Sequence, residues 1–275
     1  MKLADSLELE AFLRRNNLRA DHALGQNFLV DENVLTKIIS AAELESSDML
    51  VEVGAGLGVL TRVLAEKAQS VIALEFDNKI FPTLQKNLQS FRNIDLQNLD
   101  VRRFIPPTEN FKLVANIPYY LTSPILRKFF IENSPPELAV LLVQKEVAEK
   151  ICDTQKLSVL ALEVQIFGEP EIIANVPPES FLPPPKVDSA ILKIRTKQHP
   201  EISRNEVKDF FQIVHAGFRS PRKKIRGSFA AGFPGKKNLA TELLEQAGVD
   251  QNLRPEDLKI SDWQSILAAK RKLGE

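Results

Sequence analysis

The chain has 275 residues, of which 44% are hydrophobic and 26% charged, a composition that excludes a disordered chain and allows one large domain with a smaller one. The single cysteine, Cys152, excludes an internal disulfide, and the three histidines lie too far apart in sequence for a typical metal site. The N-terminal stretch MKLADSLELEAFLRR predicts an amphipathic helix and not a signal peptide, and no apolar run reaches the ~20 residues of a membrane span. We expect a soluble, cytoplasmic protein that binds no metal.

Apolar strands alternate with helical segments over most of the chain. Strand-type runs occur at MLVEVG (49–54), SVIALEFD (70–77), IDLQNLD (94–100), KLVANIPYY (112–120), LAVLLVQKE (138–146) and AILKI (190–194). Helical spacing occurs at 33–43, 60–68, 79–90 and 123–132. This alternation predicts an α/β domain whose mostly parallel sheet is covered on both faces.

The strand-type runs stop near residue 198, where we expect a domain boundary. Three helical segments follow, at 206–218, 239–248 and 260–272. Residues 198–275 carry 14 Lys and Arg against 10 Asp and Glu, although the whole chain has a net charge of zero. The second domain should therefore be small, all-helical and basic.

A glycine-rich turn, EVGAGLG (52–58), follows the first of these strands. Such a turn allows close approach of a ligand to the backbone, although a simple tight turn is the alternative. A dinucleotide fingerprint would place its third glycine at position 59, which is Val59, and no phosphate-loop motif occurs. The spacing favours a nucleotide-like ligand without a pyrophosphate.

Polar side chains end the strands that follow. Glu75 ends the second strand, 21 residues after Gly54, where an acid is expected to bind ribose hydroxyls. Asp100 ends the third strand, where its carboxylate can accept a hydrogen bond from an adenine amino group, and Asn116 ends the fourth. Each of these residues alone could be a solvated strand end. Together they favour a ligand site, because ligands of open α/β sheets bind at the carboxyl ends of the strands.

Six motifs occur in a fixed order: LGQNFLVD (24–31), EVGAGLGVLT (52–61), LEFD (74–77), NIPYYLTSP (116–124), LVQKEVAEK (142–150) and FLPPPKVDSA (181–190). Together they closely resemble the KsgA-type rRNA adenine dimethyltransferases, from about residue 20 to 230 and more loosely beyond. The resemblance implies a Rossmann-like class I methyltransferase with seven mostly parallel strands, the last antiparallel, and a smaller helical domain. It also implies S-adenosylmethionine as cofactor. Residues 1–197 would form the catalytic domain, with 1–30 as arm and lid, and 198–275 the RNA-binding domain.

The resemblance implies cofactor contacts at six positions: Asn27, Leu29, Gly54, Glu75, Asp100 and Asn116. The first two rest on the resemblance alone. One departure is Leu99, since the family often has a small residue before the acid of the third strand.

The stretch NIPYYLTSP explains how an adenine amine, a poor nucleophile, could attack a methyl group. The side-chain oxygen of Asn116 and the carbonyl of Ile117 would accept the amine's protons, and these bonds strengthen as positive charge develops. Pro118 restrains Ile117 to an extended backbone, and Tyr119 offers a ring on which the base stacks. We expect Asn116 and Tyr119 to be catalytic. A strand end followed by an ordinary turn is the alternative.

Two other aromatic residues receive different interpretations. Phe181 is the candidate for the opposite face of the target base, with a loop phenylalanine that plugs the core as the alternative. Tyr120 is assigned to packing, because adjacent side chains seldom both face one ligand.

The run 219–237 holds seven basic residues, no acid and two of three nearby phenylalanines, Phe218, Phe229 and Phe233. It is either a solvated loop or a surface for RNA phosphates. The expected phosphate contacts are Arg219, Arg222, Lys223, Lys224 and Arg226. An enzyme without net charge holds naked RNA poorly, so the expected partner is 16S rRNA inside the immature 30S subunit. We expect a monomer that dimethylates the N6 of adjacent adenosines near the 3′ end.

Three alternatives remain open. A related enzyme could modify large-subunit rRNA and confer antibiotic resistance, although FLPPPKVDSA and the C-terminal helices disfavour this. A DNA adenine methyltransferase is disfavoured by NIPY in place of an Asp-Pro-Pro-Tyr type of motif. The protein could also act mainly as an assembly factor that binds immature subunits, with methylation secondary.

Overall fold

The structure is a computed structural model that describes residues 5–106, 110–133, 135–233 and 237–273. It divides into two compact units, Met1–Glu149 with Pro170–Thr196 and Lys150–Glu169 with Lys197–Glu275. The larger segment of the second unit starts at Lys197, next to the expected boundary at 198, but this unit also takes in residues 150–169. Backbone bonds explain this inclusion, because Leu157 N donates to Glu256 O at 2.8 Å and Glu201 N donates to Ile166 O at 2.9 Å.

Nine strands form within the described residues: β1 Phe28–Leu29, β2 Met49–Val53, β3 Ser70–Leu74, β4 Ile94–Gln97, β5 Lys112–Asn116, β6 Leu138–Gln144, β7 Gly168–Val176, β8 Phe181–Leu182 and β9 Ser189–Thr196. Seven of them form one sheet in the order β4-β3-β2-β5-β6-β9-β7, while β1 pairs with β8. Strands β2 to β6 pair in parallel, and β9 runs antiparallel to β6. The predicted seven-stranded, mostly parallel sheet is confirmed.

Eleven α-helices form in the same residues: α1 Ser6–Arg15, α2 Glu32–Ala41, α3 Val59–Ala65, α4 Phe81–Leu88, α5 Thr122–Leu126, α6 Lys145–Cys152, α7 Val159–Gln165, α8 Val207–Gly217, α9 Ile225–Gly232, α10 Lys237–Gln246 and α11 Ile260–Lys272. A π-turn, Arg127–Glu132, extends α5. Helices α8 to α11 follow residue 198 and confirm a helical region there. Three of them match the predicted segments, whereas α9 lies inside the run 219–237, where a loop and no helix was expected. In the part of the chain that the structure describes, no helix combines the length and apolar character required to cross a bilayer.

Four strands end two or more residues before their predicted ends. The strands expected at 70–77 and 112–120 end at Leu74 and Asn116. The strand expected to run through residue 146 ends at Gln144, because Ala148 and Ile151 form the buried face of α6 at helical spacing. The strand expected at 94–100 ends at Gln97, and Asp100 instead caps a short 3₁₀ turn by accepting from Arg102 N at 2.9 Å.

An ion cluster ties the loop after α2 to β9. The Glu43 carboxylate accepts from Lys193 Nζ and from Arg195 Nη2, both at 2.5 Å. These two hydrogen bonds lower the pKa of Glu43 to about 2, and the bond from Arg195 has the larger effect. Buried Lys112 donates to the Glu43 carbonyl at 2.6 Å and to Asp48 Oδ2 at 2.8 Å.

Replacing Glu43 by glutamine is expected to lower the free energy of unfolding at pH 7 by about 1 kcal/mol, a modest loss because the carboxylate is partly exposed and screened. A lowered pKa stabilises the fold above the unfolded-state pKa near 4.5, so the loss should shrink as the pH falls from about 4.5 toward 2. Urea unfolding at pH 7 and pH 3.5 measures it. The exposed Glu45 of the same loop provides the control Glu45→Gln. An equal effect of both variants at pH 7 would contradict the assignment.

Candidate active site

A cleft of about 940 Å³, counted with the solvent at its open side, lies in the first unit at the carboxyl ends of β2, β3 and β5. It is lined by seven of the residues singled out in the sequence: Asn27, Gly54, Glu75, Asp100, Asn116, Tyr119 and Phe181. Leu29 lies outside this cleft and lines a smaller neighbouring cavity, which shares Gly54 and Asn116 with it.

The glycine turn allows the ends of β2 and β5 to approach one another. Gly54 has φ +80°, a conformation that side chains rarely adopt. A Cβ at this position would lie 3.1 Å from the carbonyl oxygen of Asn116. Any larger residue at Gly54 would therefore push against the backbone that carries the Asn116 amide.

Glu75 is buried directly after β3 with both carboxylate oxygens oriented by backbone amides. Oε2 accepts from Gly56 N at 2.8 Å, and Oε1 accepts from Asp77 N at 2.7 Å. Burial raises the pKa of Glu75, and these two bonds partly oppose that effect. Each oxygen keeps a further lone pair, so the side chain can accept two more hydrogen bonds from hydroxyl groups.

Asp100 reaches the cleft with its carboxylate already paired. Arg102 Nε lies 3.0 Å from Oδ1 and 2.9 Å from Oδ2, and Arg102 Nη2 lies 2.5 Å from Oδ2. The Arg102 guanidinium lowers the pKa of Asp100. An adenine amino group that binds to Asp100 has to share this carboxylate with Arg102, a competition that the sequence did not indicate.

Pairing of β1 with β8 joins two motifs that are distant in sequence. Leu29 is opposite Phe181 in this antiparallel pair, and Val30 N donates to Ser180 O at 2.9 Å. Phe181 is only 3% exposed, yet it lines the cleft. Phe181 is therefore packed in the core, as the alternative interpretation expects, and it also borders the cleft. Its contact with the face of a target base stays a prediction.

The side chain of Asn116 has a defined orientation. Its Nδ2 donates to the backbone oxygen of Asn27 at 3.2 Å, which leaves Oδ1 as the acceptor that can serve a ligand in the cleft. Gln26 holds the segment next to Asn27, because Nε2 donates to Asp77 Oδ2 at 2.7 Å and Oε1 accepts from Asp21 N at 2.8 Å. Gln26 and Asp77 were not predicted as site residues, although they lie in the motifs LGQNFLVD and LEFD.

The side chains of Tyr119 and Tyr120 differ in exposure and in contacts. Tyr119 is half-buried, and its hydroxyl lies 2.6 Å from Oγ of the fully buried Ser189. Burial raises the pKa of Tyr119. Tyr120 lines the cleft with 57% of its surface exposed, so its assignment to packing is wrong. The reason is the 3₁₀ turn Tyr119–Leu121, which turns consecutive side chains by about 120°.

A buried acid beneath the glycine turn was not predicted. Glu52 is 1% exposed, and its Oε2 lacks a hydrogen-bond partner among the described residues. Burial raises the pKa of Glu52 to about 8, against a lowering effect of Thr61 and with a smaller contribution from Glu75. The signal available in the sequence was an acid inside the apolar run MLVEV.

The second unit carries the predicted phosphate contacts. Four of them lie in the loop between α8 and α9 and the fifth near the start of α9, and all are exposed: Arg219, Arg222, Lys223, Lys224 and Arg226. The nearby aromatic rings instead pack inside this unit. Phe229 is fully buried, and Phe218 stacks on buried Trp263 with ring centroids 5.6 Å apart. The exposed chemistry of this surface is therefore cationic.

Comparisons with known proteins agree on one family. The family model described as "Ribosomal RNA adenine dimethylase" matches residues 17–272. Ribosomal RNA small subunit methyltransferase A of Dehalococcoides mccartyi is 39% identical over 255 residues, which cover 90% of this chain and 88% of that protein. The protein of the same name from Alkaliphilus oremlandii is 32% identical over 274 residues, covering 95% and 96% of the two chains.

Two solved structures are similar over most of the chain. A dimethyladenosine transferase from Plasmodium falciparum superposes with a TM-score of 0.78 at 27% identity, covering 90% of this chain and 98% of its own. The 23S rRNA methyltransferase ErmE gives a TM-score of 0.69 at 30% identity, covering 88% of this chain and 99% of its own.

Proposed function

The chain belongs to the ribosomal RNA adenine dimethylase family, and from this premise we propose that it dimethylates the N6 of adjacent adenosines near the 3′ end of 16S rRNA, in the assembling small subunit. Membership makes the chain an rRNA adenine dimethyltransferase whose methyl donor is S-adenosylmethionine. The observation that carries the proposal is the single cleft that gathers Glu75, Asn116 and Tyr119 at one edge of the sheet.

The residues of the cleft fit the methyl donor. Glu75 has two oriented acceptor oxygens for the ribose hydroxyls, and Asp100 has a carboxylate for the adenine amino group. Gly54 and Asn27 would bound the methionine part, since a glycine lets the ligand approach the backbone. Leu29 would support this end from the smaller cavity. When bound, S-adenosylmethionine supplies an electrophilic methyl group.

Asn116 and Tyr119 would hold the target adenine. Asn116 Oδ1 and the Ile117 carbonyl accept the two protons of the amine, which localises the nitrogen lone pair for attack. Tyr119 and Phe181 contact the faces of the base, and the bond from Tyr119 to Ser189 fixes the ring. The amine would gain a carbon–nitrogen bond as the bond between that methyl group and the sulfur of the donor breaks, with S-adenosylhomocysteine as the other product. The methylated amine would then lose one proton to water, so the mechanism requires no base of unusual pKa.

RNA would be bound by the exposed cations of the loop after α8. Because such contacts are made to phosphates, affinity should fall as salt rises. The zero net charge of the chain favours a structured ribonucleoprotein over naked RNA as substrate. We also propose that the protein acts as a monomer in the cytoplasm, where immature subunits are present.

Transfer of labelled methyl from S-adenosylmethionine tests this function. The substrates are unmodified small subunits, naked small-subunit rRNA and unmodified large subunits, with product nucleosides resolved by mass. Dimethyladenosine from small subunits is expected. Label on large subunits would instead indicate an enzyme that modifies large-subunit rRNA and confers antibiotic resistance. Subunit binding without label on any substrate would support an assembly factor.

A further inference from the structure

Tyr120 is an exposed aromatic ring at the mouth of the cleft. Its side chain is 57% exposed, whereas Tyr119, one residue earlier, is half-buried and bonded to Ser189. The proposed reaction assigns the target base to Tyr119 and leaves Tyr120 without a role. Its place in the cleft lining, and not its exposure alone, points to a ligand, because an aromatic ring there offers a flat apolar surface on which a base can stack.

One side of the Tyr120 ring is supported by the arm segment. A Cβ built on Gly25 would lie 3.4 Å from Tyr120 Cε1, 3.5 Å from Cδ1 and 3.2 Å from Pro118 Cβ. Gly25 also has φ +65°, so a glycine satisfies both the backbone and the space. One side of the ring therefore lies on the backbone at Gly25, and the rest of the ring is open to solvent.

Arg102 lies at the same mouth. Its side chain is 67% exposed, and it lines the cleft together with Tyr120. An exposed guanidinium near an exposed ring suits a nucleotide, because stacking on the ring and attraction of a phosphate act together.

We propose that Tyr120 is a second stacking site, which binds a nucleobase that flanks the target adenosine in the RNA. The inference rests on the proposed function and deepens it. A target base that turns into the cleft leaves its neighbour with one uncovered face, and Tyr120 covers that face. Stacking accepts every base, so this site adds affinity and register and not sequence selectivity.

Steady-state methylation of unmodified small subunits tests the proposal. Tyr120→Leu, which keeps apolar bulk but loses the ring, is expected to raise KM for subunits about fivefold to about a hundredfold. Tyr120→Trp should restore most of the affinity. The Kd for S-adenosylhomocysteine should stay within about twofold, because stacking concerns the RNA alone. Ile105→Ala removes another exposed apolar side chain, 74% exposed and outside the cleft lining, and serves as the matched control.

A fluorescent base separates stacking from a general loss of structure. Small subunits reconstituted with rRNA that carries 2-aminopurine at either position next to the target adenosines should be quenched by the wild-type protein at one position and not by Tyr120→Leu. A Tyr120→Leu variant with wild-type KM and wild-type quenching would overturn the inference. Failure of the proposed function would be recognised by a different result, because the wild-type protein itself would then not methylate small subunits.

Discussion

Asn116→Ala is expected to lower kcat for methylation of small subunits by about 10²–10³, the usual effect of removing one preorganised hydrogen-bonding group from a developing charge. The amide is held by its Nδ2 bond to Asn27, so on the proposed assignment Oδ1 would face the reacting amine without further ordering. Alanine leaves that amine with a single acceptor. The Kd for S-adenosylhomocysteine, measured by calorimetry, should change less than tenfold, since Glu75 retains its two acceptor oxygens.

Asn87→Ala is the matched control for this variant. The Asn87 amide also donates to a backbone carbonyl, that of Leu57 at 3.0 Å, but the residue lies outside the cleft lining. The control should keep kcat within about twofold. If kcat of Asn116→Ala fell less than tenfold with wild-type binding of S-adenosylhomocysteine, Asn116 would not hold the target amine.

Glu52→Gln is expected to remove a pH dependence of stability. The raised pKa of about 8 means that the folded protein keeps a proton that the unfolded chain loses above its ordinary pKa of 4.5. Since the folded state binds more protons in this window, wild-type stability falls as the pH rises from about 4.5 to about 8. The slope from this one group is about 1.4 kcal/mol per pH unit at most. Glutamine does not titrate, so this fall should disappear.

Urea unfolding at pH 5, 6, 7, 8 and 9 measures this effect as the difference between Glu52→Gln and wild type. The difference should grow in favour of the variant up to about pH 8 and level off above it. Glu66→Gln, an exposed acid next to α3, should run parallel to wild type throughout. Parallel profiles for Glu52→Gln would show that Glu52 is ionised in the folded protein at neutral pH.

Periodicity and strand ends predicted the sheet and most of the cleft, for a physical reason. Parallel strands place their carboxyl ends at one edge, so Glu75 and Asn116 could be brought together from sequence positions alone. Asp100 shows the limit of that reasoning. Its strand ends three residues earlier, and the residue reaches the cleft from a 3₁₀ turn with Arg102 on its carboxylate.

Other features had no local signal. The pairing of β1 with β8 joins segments separated by most of the first unit, so neither segment indicates its partner. The exposure of Tyr120 depends on the turn type after Pro118, which fixes the direction of consecutive side chains. The missing hydrogen-bond partner of Glu52 Oε2 depends on which groups surround it in the folded core, and packing determines those groups.

The bond between Asn116 and the carbonyl of Asn27 bears on how one amine receives two methyl groups. Each transfer uses one donor molecule, so a spent donor has to leave and a fresh one has to enter between the two rounds. On the proposed assignment the segment around Asn27 would border that exchange route. Any displacement of this segment during the exchange would break the bond that orients the Asn116 amide. The orientation of the proposed acceptor would then have to be set again before the second transfer, in which the amine offers one proton in place of two.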